Sequence, residues 1–119
     1  MFKECGFPFY IEQGANFIQP IYYYDQNNSP IDLTGCIVEM MARKTVTAGD
    51  PPYVSWSSET GQIEIDGLVG GVLINVAASE TADLDAGWEG VYDILITFPS
   101  GVVQRWLSGS FTVLGAVTR

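Results

Sequence analysis

The chain has 119 residues, five basic against fourteen acidic and no histidine, for a formal net charge of -9. A field of that sign repels phosphate backbones and anionic bilayers, which sets aside nucleic acid and membrane surfaces as partners. The lack of histidine removes the commonest general base and metal ligand, and a 47% hydrophobic, 13% aromatic composition fits one folded domain over residues 1–119 with its own core.

The first residues, Met1-Phe2-Lys3-Glu4, lead into no apolar h-region, and no apolar run approaches the roughly 18 residues of a bilayer span. The expected location is therefore the cytoplasm, unless the protein leaves it inside a larger assembly. Two cysteines, Cys5 and Cys36, are too few for a disulfide framework and lack zinc-ligand spacing. Cys36 reads as a small buried hydrophobe, Cys5 as an exposed one, and a pairing between them stays open.

Residues 7–11 are aromatic and β-branched, with Pro8 marking a strand start or an edge. A second strand is predicted over 17–24, where Pro20 again indicates an edge or a bulge. Residues 25–30, Asp-Gln-Asn-Asn-Ser-Pro, form a turn whose short polar side chains bond their own backbone. Residues 36–43 predict a central strand, with Cys36, Val38, Met40 and Ala42 on an apolar face. Residues 45–52 are a loop, and 53–56 a short strand.

Residues 62–66 alternate, Ile63 and Ile65 inward, and form a hairpin with 72–76 across the glycines at 67, 70 and 71. The stretch 77–86 is the one short helical turn, capped by Ser79 or Thr81 and closed by Gly87. Strands at 91–98 and 102–107 flank Pro99-Ser100-Gly101, a hairpin signal, and Gly109 separates a last strand at 110–114. The pattern predicts an all-β, mostly antiparallel sandwich or barrel of about seven to nine strands.

No constellation for catalysis stands out, and no enzyme, metal or cofactor is expected. Asp83 and Asp85 sit in a turn and Glu64 and Asp66 on a solvated strand face, so neither pair reads as an acid/base couple. Residues 83–87 lack the later Glu and the ligand spacing of a calcium loop, and 67–71 lack the lysine of a phosphate loop. Asp32 and Thr34 are expected to bond turn backbone, and Asp93 to meet a backbone donor or a basic residue such as Arg43 or Arg105.

Aromatic residues say more. Tyr22, Tyr23 and Tyr24 are consecutive, so one strand sends aromatic rings to both faces. Trp106 alternates with Leu107 in the same way. Such surplus points to contact with other proteins, since aromatics and arginine mark interface centres. The candidate partner-interface residues are Phe7, Phe9 and Tyr10 in the N-terminal segment, Tyr22 and Tyr24 at the second strand, Tyr53 and Trp56 around the 51–56 loop, and Trp106. The N-terminal segment is suited to adding a strand to a neighbour.

Three segments together carry a resemblance: Pro30-Ile31-Asp32-Leu33-Thr34-Gly35 before a strand ending at Arg43; Ala78-Ser79-Glu80-Thr81-Ala82-Asp83-Leu84 leading through Gly90 to Tyr92-Asp93; and Gly101, Gly109 and Val117-Thr118-Arg119. From about Phe9 to Arg119 the chain resembles the small β domains of tailed-phage virion proteins, and is similar to the N-terminal domain of upper baseplate proteins. The resemblance implies an immunoglobulin-like antiparallel β-sandwich that attaches appendages to the tail. It further implies other virion proteins and further copies of the chain as partners, and the virion as location. Larger relatives continue into fibre-forming helices or receptor-binding modules. Because this chain stops at Arg119, the expected role is an adaptor, a collar or a capsid decoration subunit. A carbohydrate-binding module stacking sugars on Tyr22, Tyr24 and Trp106 is the alternative from another class.

Overall fold

The computed structural model describes residues 8–49 and 51–115. Among these residues, the alternating segments become eight strands: β1 (Phe9–Glu12), β2 (Phe17–Tyr22), β3 (Ile37–Arg43), β4 (Val54–Ser57), β5 (Ile63–Asp66), β6 (Gly71–Val76), β7 (Glu89–Thr97) and β8 (Val103–Leu114). They form a five-stranded sheet, β1-β8-β7-β3-β4, and a three-stranded sheet, β2-β6-β5. The fold is all-β, with one helical turn, α1 (Ala78–Thr81), and a 3-10 turn at Gly67–Val69.

Period-two alternation decides which side chains go inside. On β3, Val38, Met40 and Ala42 are buried while Ile37, Glu39, Met41 and Arg43 lie between them on the outer side. Phe9, Ile11, Ile94, Ile96, Phe111 and Val113 add to that inner face, and Ile63, Val72, Ile74 and Val76 oppose it from the smaller sheet. Each such side chain stabilises the fold by about 1.5–3 kcal/mol on burial. Cys36 joins this core as a free thiol, which desolvation, reinforced by the nearby Asp32 carboxylate, pushes above the usual thiol range.

Two departures from expectation concern β8 and β1. Gly109 does not end a strand; β8 runs unbroken for 12 residues. Leu107 pairs with Ile94 and Arg105 with Leu95, so Trp106 has no residue opposite it and forms a bulge. The extra residue changes the phase of the strand. Trp106 is buried and Leu107 packs against the same core, so the two do not split between faces as strict alternation would require. The second departure is β1, which pairs with β8 in parallel, Phe9 beside Phe111 and Ile11 beside Val113. Consecutive strands β1 and β2 lie in different sheets, so no hairpin imposes antiparallel pairing on β1.

Pro20 falls on β2, at the margin of the smaller sheet, as proline in a strand demands. It offers no N–H to an incoming strand, and its carbonyl accepts from Gln19 Nε2 at 3.0 Å. Such a margin resists further strand pairing.

The helical turn is held differently from the expected capping. Neither Ser79 nor Thr81 caps it; the Ala78 N–H donates instead to Asn16 Oδ1 at 2.8 Å. Thr81 is fully buried, its hydroxyl donating to the Ala15 carbonyl at 2.8 Å and accepting from the Gly14 N–H at 3.1 Å. The residue expected to cap the turn ties it to the β1–β2 connection.

Asp32 does bond turn backbone: its Oδ1 accepts from the Thr34 N–H at 2.9 Å. Hydrogen bonds from Thr34, side chain first and then backbone, hold its carboxyl below the ordinary 3.8. A lowered folded-state pKa stabilises the fold above the unfolded value and ceases to do so as pH falls through the folded one. Asp32→Ala is therefore expected to lower the melting temperature slightly at neutral pH. The deficit should vanish in acid, below 3.8. A deficit that persists unchanged into acid would show that the carboxylate is not its source.

Candidate interaction surfaces

Strand β2 is apolar on both sides. Phe17, Ile21 and Tyr23 pack on the core, while Ile18, Pro20 and Tyr22 point outward. Cross-strand partners share a face, so the pairings set out the outer surface in rows. Tyr22, Gly71 and Asp66 make one row; Pro20, Leu73 and Glu64 make the next; Ile18 stands beside Asn75. Tyr22 and Ile18 are each 56% exposed and Tyr24 50%. A shallow trough of about 290 Å³ runs along this face between Pro20, Tyr22, Val69 and Leu73 on one side and Glu64 and Asp66 on the other.

The turn after β2 fixes the tyrosines. Asp25 Oδ1 accepts from the N–H groups of Asn27 and Ser29, at 2.8 and 3.0 Å, and Asn28 takes the left-handed conformation such a turn needs. Tyr24 then bridges to Pro30 and lies with its ring 6.5 Å from that of Tyr22. From below, the Tyr23 N–H donates to the carbonyl of Gly70 at 2.9 Å, and Gly70 has φ at 65°. A Cβ there would stand 2.5 Å from the Tyr23 carbonyl, so only glycine fits. Tyr23 itself turns inward, stacks on Trp106 at 5.0 Å and donates its hydroxyl to Gln104 Oε1 at 3.1 Å.

The expected interface residues separate into three groups. Tyr10, Tyr22 and Tyr24 are exposed. Phe9, Trp56 and Trp106 are not surface residues but core: Phe9 stacks on Tyr92 at 4.3 Å, Trp56 packs beside Phe111 at 5.9 Å, and Trp106 is covered by Tyr23. Their inward phase corrects the expectation that they meet a partner, and it removes Trp106 as a sugar platform. Tyr53 is partly buried, stacked on Trp88 at 4.0 Å, with Lys44 5.4 Å from the Trp88 ring centre. Its hydroxyl donates to Asp85 Oδ2 at 3.2 Å and accepts from the Asp85 N–H at 2.6 Å, so it pins the turn before β7. Burial, aided by the Asp85 carboxylate, pushes the phenol up. Phe7 lies outside the described residues, as does Cys5.

The outer face of the larger sheet has a different character. Met41, Val91 and Leu95 line a broad trough of about 710 Å³ with Arg43, Arg105 and Asp93. Asp93 meets Arg105, one of the two arginines expected for it, Nε to Oδ2 at 3.0 Å. Arg43 donates to the Gly49 carbonyl at 3.1 Å and lies against Met41 Sδ. Sequence reasoning did not single this face out, because its apolar residues alternate with charged ones and read as an ordinary solvated side.

Among the described residues no group of three or more His, Cys, Asp or Glu is placed to hold a metal ion. No helix among them is long and apolar enough to cross a membrane. The carboxylates of Asp25, Asp32, Glu80, Asp85 and Asp93 bond backbone, a side-chain amide, a phenol or an arginine, all roles in holding shape. Large aromatic and aliphatic side chains, Tyr10, Ile18, Tyr22 and Tyr24 among them, stand exposed on the surface. Compared with known proteins, no family model matches the chain, and no curated protein matches it in sequence.

Proposed function

We propose that this chain is a non-enzymatic structural subunit of a tailed-phage virion, an immunoglobulin-like domain that serves as a tail or baseplate adaptor by binding other virion proteins. The strand order supports the immunoglobulin-like part: β2-β6-β5 against β1-β8-β7-β3-β4 corresponds to a B-E-D sheet packed on an A′-G-F-C-C′ sheet. The observation that carries the binding role is the exposed stripe Ile18, Tyr22 and Tyr24, large apolar side chains that the core does not use.

Quantitative mass spectrometry of gradient-purified particles, heads and tails separated before digestion, tests the assignment. Recovery with tails in a small multiple of three or six copies is expected. Recovery with heads in hundreds of copies would make the chain a capsid decoration protein, and absence from both fractions would end the structural reading.

The stripe has its own test. Tyr22→Ser with Tyr24→Ser should leave folding stability within about 0.5 kcal/mol, as exposed substitutions do, while reducing incorporation into particles. Loss of stability would instead place both rings in the core.

A further inference from the structure

We infer that this chain carries a site for an uncharged saccharide, in the trough between the tyrosines at the end of β2 and the part of β8 that holds Gln104. Such a site goes beyond the subunit role and does not depend on it.

The trough has a volume of about 530 Å³, within the range of roughly 300–1,000 Å³ for small-ligand sites. Tyr22 and Tyr24, both half exposed or more, bring two aromatic rings to it. A sugar ring has an apolar C–H face that lies flat on such a ring, and hydroxyls around its rim that both donate and accept.

The polar groups of the lining keep capacity for those hydroxyls. Gln104 Oε1 accepts from the Tyr23 hydroxyl, which leaves the two hydrogens on Nε2 without a partner among the described residues. Asp25 Oδ1 accepts two backbone N–H groups of its turn, and Oδ2 accepts none among the described residues. Gln26, exposed on the same turn, adds a second amide. Open donors on one residue and an open acceptor on another suit neighbouring hydroxyls, which offer both. A proline-rich segment, the other ligand that aromatic grooves take, presents carbonyl acceptors and gives Asp25 nothing to accept.

The site is fixed before a ligand arrives. The Tyr24–Pro30 bridge holds one wall, and Tyr23, stacked on Trp106, orients Gln104 on the other. Groups already held lose little freedom on binding. No lysine or arginine lines the trough, and the Asp25 carboxylate does, in a chain of net charge -9. Acidic sugars are therefore repelled and neutral ones admitted.

A glycan array printed with neutral, sialylated and sulfated oligosaccharides, probed with the purified full chain, tests this. Wild type should bind neutral glycans and no acidic ones. On the best neutral glycan, Tyr24→Ala and Gln104→Glu should each weaken binding about tenfold, the effect of one lost ring contact or hydrogen bond. Glutamate keeps an oxygen for the Tyr23 hydroxyl and removes only the amide donors, so the melting temperature of Gln104→Glu should stay near that of wild type. Val46→Ser, at an 85% exposed position outside the lining, should bind as wild type does. Near-ultraviolet circular dichroism identifies a Tyr24→Ala that has failed to fold, in which case Gln26→Ala takes its place. No binding to any glycan, binding to acidic glycans alone, or binding that either variant leaves unchanged would each overturn the inference. So would Tyr24-dependent binding to an array of proline-rich peptides in place of glycans. The virion reading is decided separately, by the particle mass spectrometry.

Discussion

Phe111→Ala is expected to destabilise the fold by about 3–5 kcal/mol, the range for deleting a buried aromatic ring. Phe111 is fully buried on β8, paired on one side with Phe9 of β1 and on the other with Gly90 of β7. Its ring meets Trp88 edge-on and Trp56 at a tilt, both at 5.9 Å. One side chain thus links three strands of the larger sheet and two indoles. Small domains hold only about 5–15 kcal/mol in total, so the variant should lie near the edge of unfolding. Urea titration would show it as a fall in midpoint with unchanged slope. A shift worth less than about 1 kcal/mol would mean that the neighbours collapse around the missing ring.

Thr81→Val is the second large effect, at about 1–3 kcal/mol, and it acts through hydrogen bonds. Valine keeps the shape of threonine, but it leaves the Ala15 carbonyl and the Gly14 N–H without the hydroxyl they bond. The Ala15 carbonyl sits partly buried under the helical turn, where an unmet acceptor bears a desolvation cost, while the exposed Gly14 N–H can turn to water. Thr81→Ser keeps the hydroxyl and should lose clearly less. Equal losses for the two variants would show that the methyl group, and not the hydrogen bonding, holds α1 to the β1–β2 connection.

The fold was legible wherever period two was clean. β3 announced its inner face through Cys36, Val38, Met40 and Ala42, and Pro20 announced a sheet margin. The Asp25–Pro30 turn was readable too, because it depends on chemistry local to a few residues, whereas for Asp93 the sequence left a backbone donor, Arg43 and Arg105 all open and the fold chose Arg105. What could not be read was pairing. Nothing in Phe9–Glu12 distinguishes a strand laid parallel to β8 from one added to a neighbour, since both call for the same alternation.

The aromatic residues show the same boundary. Phe9, Trp56 and Trp106 look like Tyr10, Tyr22 and Tyr24 in sequence; only the register of the finished sheets separates the buried from the exposed. Thr81 was visible as a hydrogen-bonding residue, but its partners, Ala15 and Gly14, lie more than sixty positions away. The broad trough over Met41, Val91 and Leu95 draws on three strands and has no signature in any one of them.

The bulge at Trp106 has a consequence for how this chain tolerates change in length. It acts as a phase joint: beyond it, Leu107 to Val113 are locked to β7 and β1, and a residue gained or lost there would rotate Phe111 and Val113 out of the core. Before it, the arm from Pro99 to Arg105 pairs with β7 alone in the sheet, held further by the Tyr23 hydroxyl on Gln104, and slack in the joint can absorb a single added or deleted residue without disturbing the strand on its far side. The hairpin tip is thereby the part of the molecule free to be lengthened, shortened or recoloured for a new partner while the rest of the sandwich stays the same.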